Sequence, residues 1–177
     1  PFYNPKFDYI KECLISIEKQ DFEEFFEVVI INDGSEKKLV DNLKIFLETL
    51  TKKYIVYDLD KNYGIAHALN YGLKKCSFNL VVRMDADDIM KPDRLKKQYE
   101  YMCIHNECTV LGGQCELMDE KTKKINYTTQ HPKLITKSYL KKTKNIWFMN
   151  HPTIIYRKDI ILKLGGYSEK LRGHSED

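Results

Sequence analysis

The run Val28-Val29-Ile30-Ile31 is four consecutive β-branched residues, entered through Phe26-Glu27 and stopped by Asn32-Asp33-Gly34-Ser35. A strand that is apolar on successive residues has no face to give to water, so it needs cover on both sides, as in a parallel sheet between layers of helices. The next residues of the chain supply that cover. Leu39, Leu43, Phe46, Leu47 and Leu50 recur at helical spacing, which predicts an amphipathic helix of about four turns with Ser35 as its N-cap. Tyr54-Ile55-Val56-Tyr57 reads as a second strand. After Asn62-Tyr63-Gly64, the residues Ala66, Ala68, Leu69 and Leu73 mark a helix over 65–75, and Leu80-Val81-Val82-Arg83-Met84 a third strand. Strands alternating with helices of this length build right-handed βαβ units. The expected fold class is therefore α/β, a doubly wound and mostly parallel sheet flanked by helices.

Ile10, Cys13, Leu14 and Ile17 mark a helix ahead of the first of these strands, preceded by Pro1-Phe2-Tyr3-Asn4, where a loop after a strand should sit. Pro92 suits the first turn of a helix carrying Leu95, Tyr99 and Met102. Shorter strands are expected near 109–117 and 124–128. A further strand is read at Thr153-Ile154-Ile155-Tyr156, then a short helix over 159–164 closed by Gly165-Gly166. A chain of 177 residues, 42% hydrophobic and 31% charged, fits one domain with a sizeable core. Its 29 Lys and Arg against 26 Asp and Glu give a net charge of +3, too mild for a nucleic-acid binder, and no DNA-binding module is visible. The longest apolar runs have strand length, so neither a bilayer-spanning helix nor a signal peptide is read. Five cysteines (13, 76, 103, 108 and 115) without a CxxC pair suit reduced thiols in a cytoplasmic protein rather than a zinc site.

Arg83-Met84-Asp85-Ala86-Asp87-Asp88 delivers three carboxylates at the end of an apolar strand, where ligands of open α/β sheets bind. Carboxylates so concentrated repel one another. A hard divalent cation, Mg²⁺ or Mn²⁺, itself bound to diphosphate oxygens, is the natural compensation. The same residues also suit an acidic loop in which Asp87 or Asp88 caps the helix after Pro92. Asp33-Gly34-Ser35 ends a neighbouring strand on the same sheet edge, where a short carboxylate can accept a hydrogen bond from a base or ribose; it also suits an ordinary strand-to-helix turn. Asn62-Tyr63-Gly64 opens a helix whose N-terminus can help hold phosphate, and is otherwise a turn. Residues 121–144 hold eight Lys and no Asp or Glu, leaving 21 basic against 26 acidic residues elsewhere. Such a segment either faces anionic lipid headgroups or an anionic acceptor, or is a solvated face.

Together these pieces resemble the inverting family 2 glycosyltransferases of the GT-A fold. The resemblance rests on Pro1-Phe2-Tyr3-Asn4 as the end of the family's first strand, Val29 to Ser35, Asn62-x-Gly64 through Ala68-Leu69-Asn70-x-Gly72, and Asp85-Ala86-Asp87-Asp88. It continues through His151-Pro152-Thr153, Gly165-Gly166-Tyr167 and Glu176-Asp177. Position 32 is Asn where the family commonly has Asp. The resemblance implies a single catalytic domain over 1–177, cut at both ends, that moves a hexosyl or N-acetylhexosaminyl group. The donor would be a nucleotide-diphosphate sugar, a UDP-sugar in the first instance, and the acceptor a hydroxyl of a glycan or lipid-linked sugar at the cytoplasmic face of a membrane. Residue by residue, Tyr3 would lie against the base, Asp33 would contact it, and Asn62 and Gly64 would complete the nucleotide site. Asp85 would contact the ribose or the metal, and Asp87 would be the direct ligand of Mn²⁺ or Mg²⁺. Asp177 would be the general base, with Glu176 shaping the acceptor side. Asp88, His151 and His174 are candidate substrate contacts, and for the two histidines a structural hydrogen bond is an equal alternative.

Two other readings compete. Asp85-Ala86-Asp87-Asp88-Ile89 approaches the D-x-D-x-[TV] of haloacid-dehalogenase-like phosphotransferases, but Ile89 replaces the required residue and that family carries its motif on the first strand. The other is a nucleotide-sugar binding module without transferase activity.

Overall fold

The computed structural model describes residues 1–142 and 148–171. Helix α1 (Phe7–Glu18) precedes strand β1 (Glu27–Asn32), helix α2 (Lys37–Leu47), strand β2 (Lys53–Asp58), helix α3 (Ile65–Lys75) and strand β3 (Leu80–Val82). Next come helix α4 (Arg94–Ile104), the short strands β4 (Val110–Leu111), β5 (Glu116–Met118) and β6 (Ile125–Thr128), helix α5 (Lys137–Lys142), strand β7 (Ile155–Arg157) and helix α6 (Lys158–Lys163).

β1 and β2 pair in parallel from Glu27 opposite Lys53 to Asn32 opposite Asp58. Phe2 adds a parallel bridge to Asn32, its N–H donating to the Ile31 carbonyl at 2.9 Å while its own carbonyl accepts from the Asp33 N–H. The period-two alternation of side chains divides these strands between two helix layers. Val28, Ile30, Val82 and Met84 pack against the cluster of Ile10, Cys13, Leu14, Ile17 and Leu43 on α1 and α2. Val81 packs against Leu73 of α3 together with Ile154 and Tyr156. Gly72 lets α3 lie close on β1, since a Cβ there would stand 3.0 Å from Ile31 Cγ1.

The sheet departs from the parallel pattern in its second half. β7 lies between β3 and β4 and runs antiparallel to both, while β5 and β6 form a separate antiparallel hairpin. Three boundaries also differ from those expected of the sequence. Thr153 belongs to a 3₁₀ turn, His151–Thr153, ahead of β7, with its hydroxyl donating to the Asn150 carbonyl at 2.7 Å. α4 starts two residues after Pro92, whose carbonyl instead accepts the Asp21 N–H. Ser35 does not cap α2: the capping position is Glu36, and Ser35 Oγ accepts the Asn4 N–H at 2.9 Å while Asn4 Oδ1 accepts the Glu36 N–H at 2.8 Å. That exchange pins the N-terminal loop, with Asn4 at φ 43, against the start of α2. Between β1 and β3 lies an apolar cleft of about 680 Å³, lined by Val28 to Ile31 on one side and Leu80 to Val82 on the other.

Candidate functional site

Where β1 and β3 end, the N-terminal loop and the start of α3 close a cavity of about 240 Å³. Tyr3, Asp33, Asn62, Gly64, Asp85 and Asp87 all line it, with Phe2, Pro5, Ile65 and Ala68 between them. Residues that the sequence separates by more than eighty positions are thus brought to one strand-end crevice, the place where open α/β sheets bind ligands. Tyr3 leaves about half its surface to solvent beside this cavity, so one ring face can meet a planar partner.

Asp33 is 3% exposed, and its carboxylate is already engaged. Oδ1 accepts the Tyr63 N–H at 2.8 Å and Oδ2 the Gly64 N–H at 2.9 Å. The side chain therefore ties the end of β1 to the start of α3, a task its sequence context does not announce, and each oxygen keeps a second lone pair. Gly34, at φ 75, permits the approach: a Cβ there would stand 2.3 Å from the Lys61 carbonyl carbon and 2.5 Å from the Asn62 nitrogen. The first intrahelical bond of α3 runs from the Ala68 N–H to the Gly64 carbonyl. The N–H groups ahead of it are the orphan donors of a helix start, at the positive end of the helix dipole and beside the cavity.

The acidic end of β3 is not uniform. Arg83, 4% exposed, places Nη1 2.5 Å from Asp85 Oδ1, and neither its Nε nor its Nη1 makes a well-angled hydrogen bond. Arg94 donates to the Arg83 carbonyl at 2.8 Å, and burial lowers its guanidinium to about 10. Asp87 is exposed on the cavity wall. Asp88 lies outside that wall, and its carboxyl is pushed up to about 6, by desolvation first and then by the Asp85 and Asp87 carboxylates. Neither Asp87 nor Asp88 caps α4, whose capping position is Asp93. Among the described residues no group of three His, Cys, Asp or Glu side chains converges to hold a metal by itself. The donor set is still of the right kind, because Asp85 and Asp87 are hard oxygen ligands facing one cavity and the carboxylate crowding that lifts Asp88 is the charge a cation relieves. The sequence pattern marks Arg83 only as part of a strand. An arginine inside an apolar run, two residues before an aspartate, is the signal that could have singled it out.

His151 does not line this cavity, and its Nε2 lies 3.1 Å from the Tyr167 hydroxyl. His174, Glu176 and Asp177 lie outside the described residues. In the lysine-rich segment, Lys123 reaches Glu12 at 3.1 Å, while Lys121, Lys124, Lys133, Lys141 and Lys142 make no ion pair among the described residues. Around them Leu117, Met118, Ile125, Tyr127, Leu134 and Leu140 are exposed. No helix among the described residues is long and apolar enough to cross a membrane. The phosphotransferase reading finds no support, since Asp85, its nucleophile, is ion-paired to Arg83 and comes after the third strand.

Comparison with known proteins agrees with this geometry. The sequence signature described as Glycosyl transferase family 2 matches residues 1–165. The O-antigen biosynthesis glycosyltransferase WbnJ of Escherichia coli is 33% identical over 165 residues, 90% of this chain and 60% of WbnJ. The UDP-Gal:alpha-D-GlcNAc-diphosphoundecaprenol beta-1,3-galactosyltransferase of the same organism is 30% identical over 146 residues, 81% of this chain and 51% of that enzyme. This chain thus spans between half and two thirds of these relatives. Among solved structures, S. aureus TarS 1-349 in complex with UDP superposes with a TM-score of 0.70 at 26% identity, covering 99% of this chain and 50% of that one. The mannosyltransferase PcManGT from Pyrobaculum calidifontis, in complex with GDP-Man and Mn2+, gives the same TM-score at 18% identity, over 97% of this chain and 46% of its own, a likeness of fold.

The Asp88 carboxyl sets a pH signature. Its folded value of about 6 lies above the ordinary 3.8, so above pH 6 the fold holds a charge it disfavours, and below 3.8 the group is neutral folded or unfolded. Asp88→Asn should therefore raise the thermal midpoint at pH 7 in EDTA, and the gain should fade as pH drops through 6 towards 3.8. A midpoint unchanged at pH 7 would show that the three carboxylates do not strain one another.

Proposed function

The chain belongs to glycosyl transferase family 2 and has the GT-A fold, and from that premise we propose that it transfers a sugar from a UDP-sugar to a hydroxyl of a glycan or lipid-linked acceptor, with inversion. The observation that carries this reading is the convergence of Tyr3, Asp33, Asn62, Gly64, Asp85 and Asp87 on one cavity. A UDP-sugar is supported by the UDP in the TarS complex and by the UDP-Gal in the name of the E. coli relative. Polysaccharide assembly is supported by the O-antigen role in the name of WbnJ.

In this reading Tyr3 stacks on the base and the Asp33 carboxylate accepts from it with a remaining lone pair. Asn62 and Gly64 line the nucleotide, and the orphan N–H groups of α3 point at the diphosphate. Asp87 and Asp85 would hold Mn²⁺ or Mg²⁺, while Arg83 offsets part of the carboxylate charge through Asp85. A divalent ion bound there supplies positive charge to the diphosphate as the sugar leaves. Asp177 takes the proton of the acceptor hydroxyl on the opposite side of the sugar, with Glu176 beside it, and direct displacement inverts the anomeric centre. An Asp base with an ordinary value of about 3.9 serves because proton transfer is late. Asp88, His151 and His174 stand as substrate contacts on this reading, and a binding module without transfer is the alternative.

We extend the reading to two surfaces. The basic segment, with Leu117, Ile125 and Tyr127 exposed among its lysines, docks on an anionic membrane face where a lipid-linked acceptor resides. The cleft between β1 and β3 takes an extended segment preceding Pro1, since Phe2 already pairs in parallel with Asn32 and a strand continuing from it would run along β1.

Four measurements test these statements. Asp87→Asn should weaken UDP binding in Mn²⁺ far more than in EDTA, while Asp177→Asn in the full-length protein should abolish transfer and spare UDP affinity. Equal losses in both buffers would remove Asp87 as a metal ligand, and an Asp177→Asn variant with full transfer would move the base elsewhere, with Glu176 next to be tested. Vesicles containing anionic lipid should retain the protein at low salt and release it as salt rises; equal retention on neutral vesicles would refute the electrostatic contact. In the full-length protein the Val29 and Ile31 amides, on the cleft edge of β1, should be strongly protected from exchange. Fast exchange there would leave the cleft without its strand.

A further inference from the structure

Two arginines stand beside the acidic end of β3, and they do different work. Arg94 gives its donors to uncharged oxygens: Nη2 reaches the Arg83 carbonyl at 2.8 Å and Nε reaches Gln98 Oε1 at 3.0 Å. It is a brace for the backbone. Arg83 has its own backbone fixed by that bond and by its N–H on the Ile154 carbonyl at 2.9 Å, and it sends its side chain to a charge. Nη1 stands 2.5 Å from Asp85 Oδ1, and among the described residues no other cation is in ion-pair contact with Asp85, Asp87 or Asp88.

The approach comes from behind the cavity. Arg83 lines the apolar cleft between β1 and β3 but not the cavity, whereas Asp85 lines both. The Arg83 side chain is 3% exposed and that of Asp85 33%. A ligand seated in the cavity therefore meets Asp85 directly and Arg83 only through it. A buried guanidinium is costly unless paired, and since Nε makes no hydrogen bond, Asp85 is the partner that answers its charge. Closed off from solvent ions, the cation acts on that carboxylate with little screening. Without it, three neighbouring carboxylates would meet the further negative charge that a diphosphate brings to the same edge.

We infer that Arg83 is a positioning residue for the donor: it holds the Asp85 carboxylate from the cleft side as a fixed counter-ion, so that UDP keeps part of its affinity when no divalent ion is supplied. The inference rests on the reading of Asp85 and Asp87 as the metal site. Guanidinium and divalent ion then act on the same carboxylates, and like charges oppose each other there. Removing Arg83 makes UDP binding more dependent on the ion and makes the site hold the ion more tightly. That is the opposite sign from removing a metal ligand.

The experiment uses the full-length protein and measures UDP affinity by calorimetry in saturating Mn²⁺ and in EDTA, together with the rise in thermal midpoint produced by Mn²⁺ alone. Arg83→Met keeps an unbranched apolar stem without the charge. It should weaken UDP binding in EDTA roughly tenfold more than in Mn²⁺, and Mn²⁺ alone should raise its midpoint by more than it raises the parent's. Arg83→Lys retains a cation and should bring both quantities back towards the parent. Arg94→Met, which removes the brace, should lower the midpoint and leave the ratio of the two UDP affinities near the parent's. If Arg83→Met does not fold, Arg83→Gln removes the same charge, keeps a polar end and should show the same asymmetry. Equal losses in the two buffers, or an asymmetry as large in Arg94→Met, overturn the inference. A parent that binds UDP equally in Mn²⁺ and EDTA defeats the metal reading and the inference with it. A parent whose Mn²⁺ dependence is lost in Asp87→Asn, beside an Arg83→Met variant with equal losses, defeats the inference alone.

Discussion

The site depends on one buried carboxylate. Asp33 would be costly where it stands if its charge were unpaired, but it accepts one N–H on each oxygen, and charge-assisted bonds of this type contribute about 1.5–3 kcal/mol each. The elements they join matter more than their sum. One end of the contact is the C-terminal end of β1, fixed by a six-residue parallel ladder to β2, and the other is the chain immediately ahead of α3. Gly34 brings the Lys61–Asn62 backbone within reach, and the Asn4 and Ser35 exchange brings the loop bearing Tyr3 to the same edge. Remove the carboxylate and the cavity loses its far wall, because nothing in the local sequence of 60–64 tells that segment to face β1.

The same economy governs the acidic motif. Asp85, Asp87 and Asp88 look alike in sequence and become three different groups in space. Asp85 is ion-paired to the buried Arg83, Asp87 reaches the cavity with its side chain exposed, and Asp88, desolvated and set beside the other two carboxylates, has its carboxyl pushed up to about 6. The buried Arg83 guanidinium offsets part of this carboxylate charge through its ion pair with Asp85, while its Nε makes no hydrogen bond.

The elements legible in the sequence are those set by local periodicity. Val28–Ile31 with its cover, the leucine spacing of α2 and the small residues of α3 all specify their partners' chemistry within one or two turns. β7 is legible as a strand but its antiparallel place between β3 and β4 is not, because strand order is decided by pairings far apart in sequence. Ser35 fails as a cap for the same reason: the competing partner, the Asn4 N–H, lies thirty-one residues away. The residues that line the cavity are named by the family resemblance, while the tie that Asp33 makes from β1 to the start of α3 and the burial of Arg83 emerge only when the chain is folded. The contact between His151 and Tyr167, sixteen residues apart, is likewise one that no local pattern announces.

The two sides of the site are built to different standards of rigidity. Asp33 and Arg83 are almost fully buried and follow directly on strands that pack into both helix layers, so the cavity opens only with the core itself. The β5–β6 hairpin is the opposite case, two short strands with Leu117, Met118, Ile125 and Tyr127 all exposed, held to the body by polar contacts such as Lys123 with Glu12 and Lys6 with Glu120. Surface pairs of this sort stabilise little and are weakened by salt. A floor that cannot move without unfolding keeps the side chains that line the cavity in one arrangement. A loosely fastened apolar and basic flap suits whatever differs from one member of such a family to the next, and its residues can change without disturbing the carboxylate that holds the floor in place.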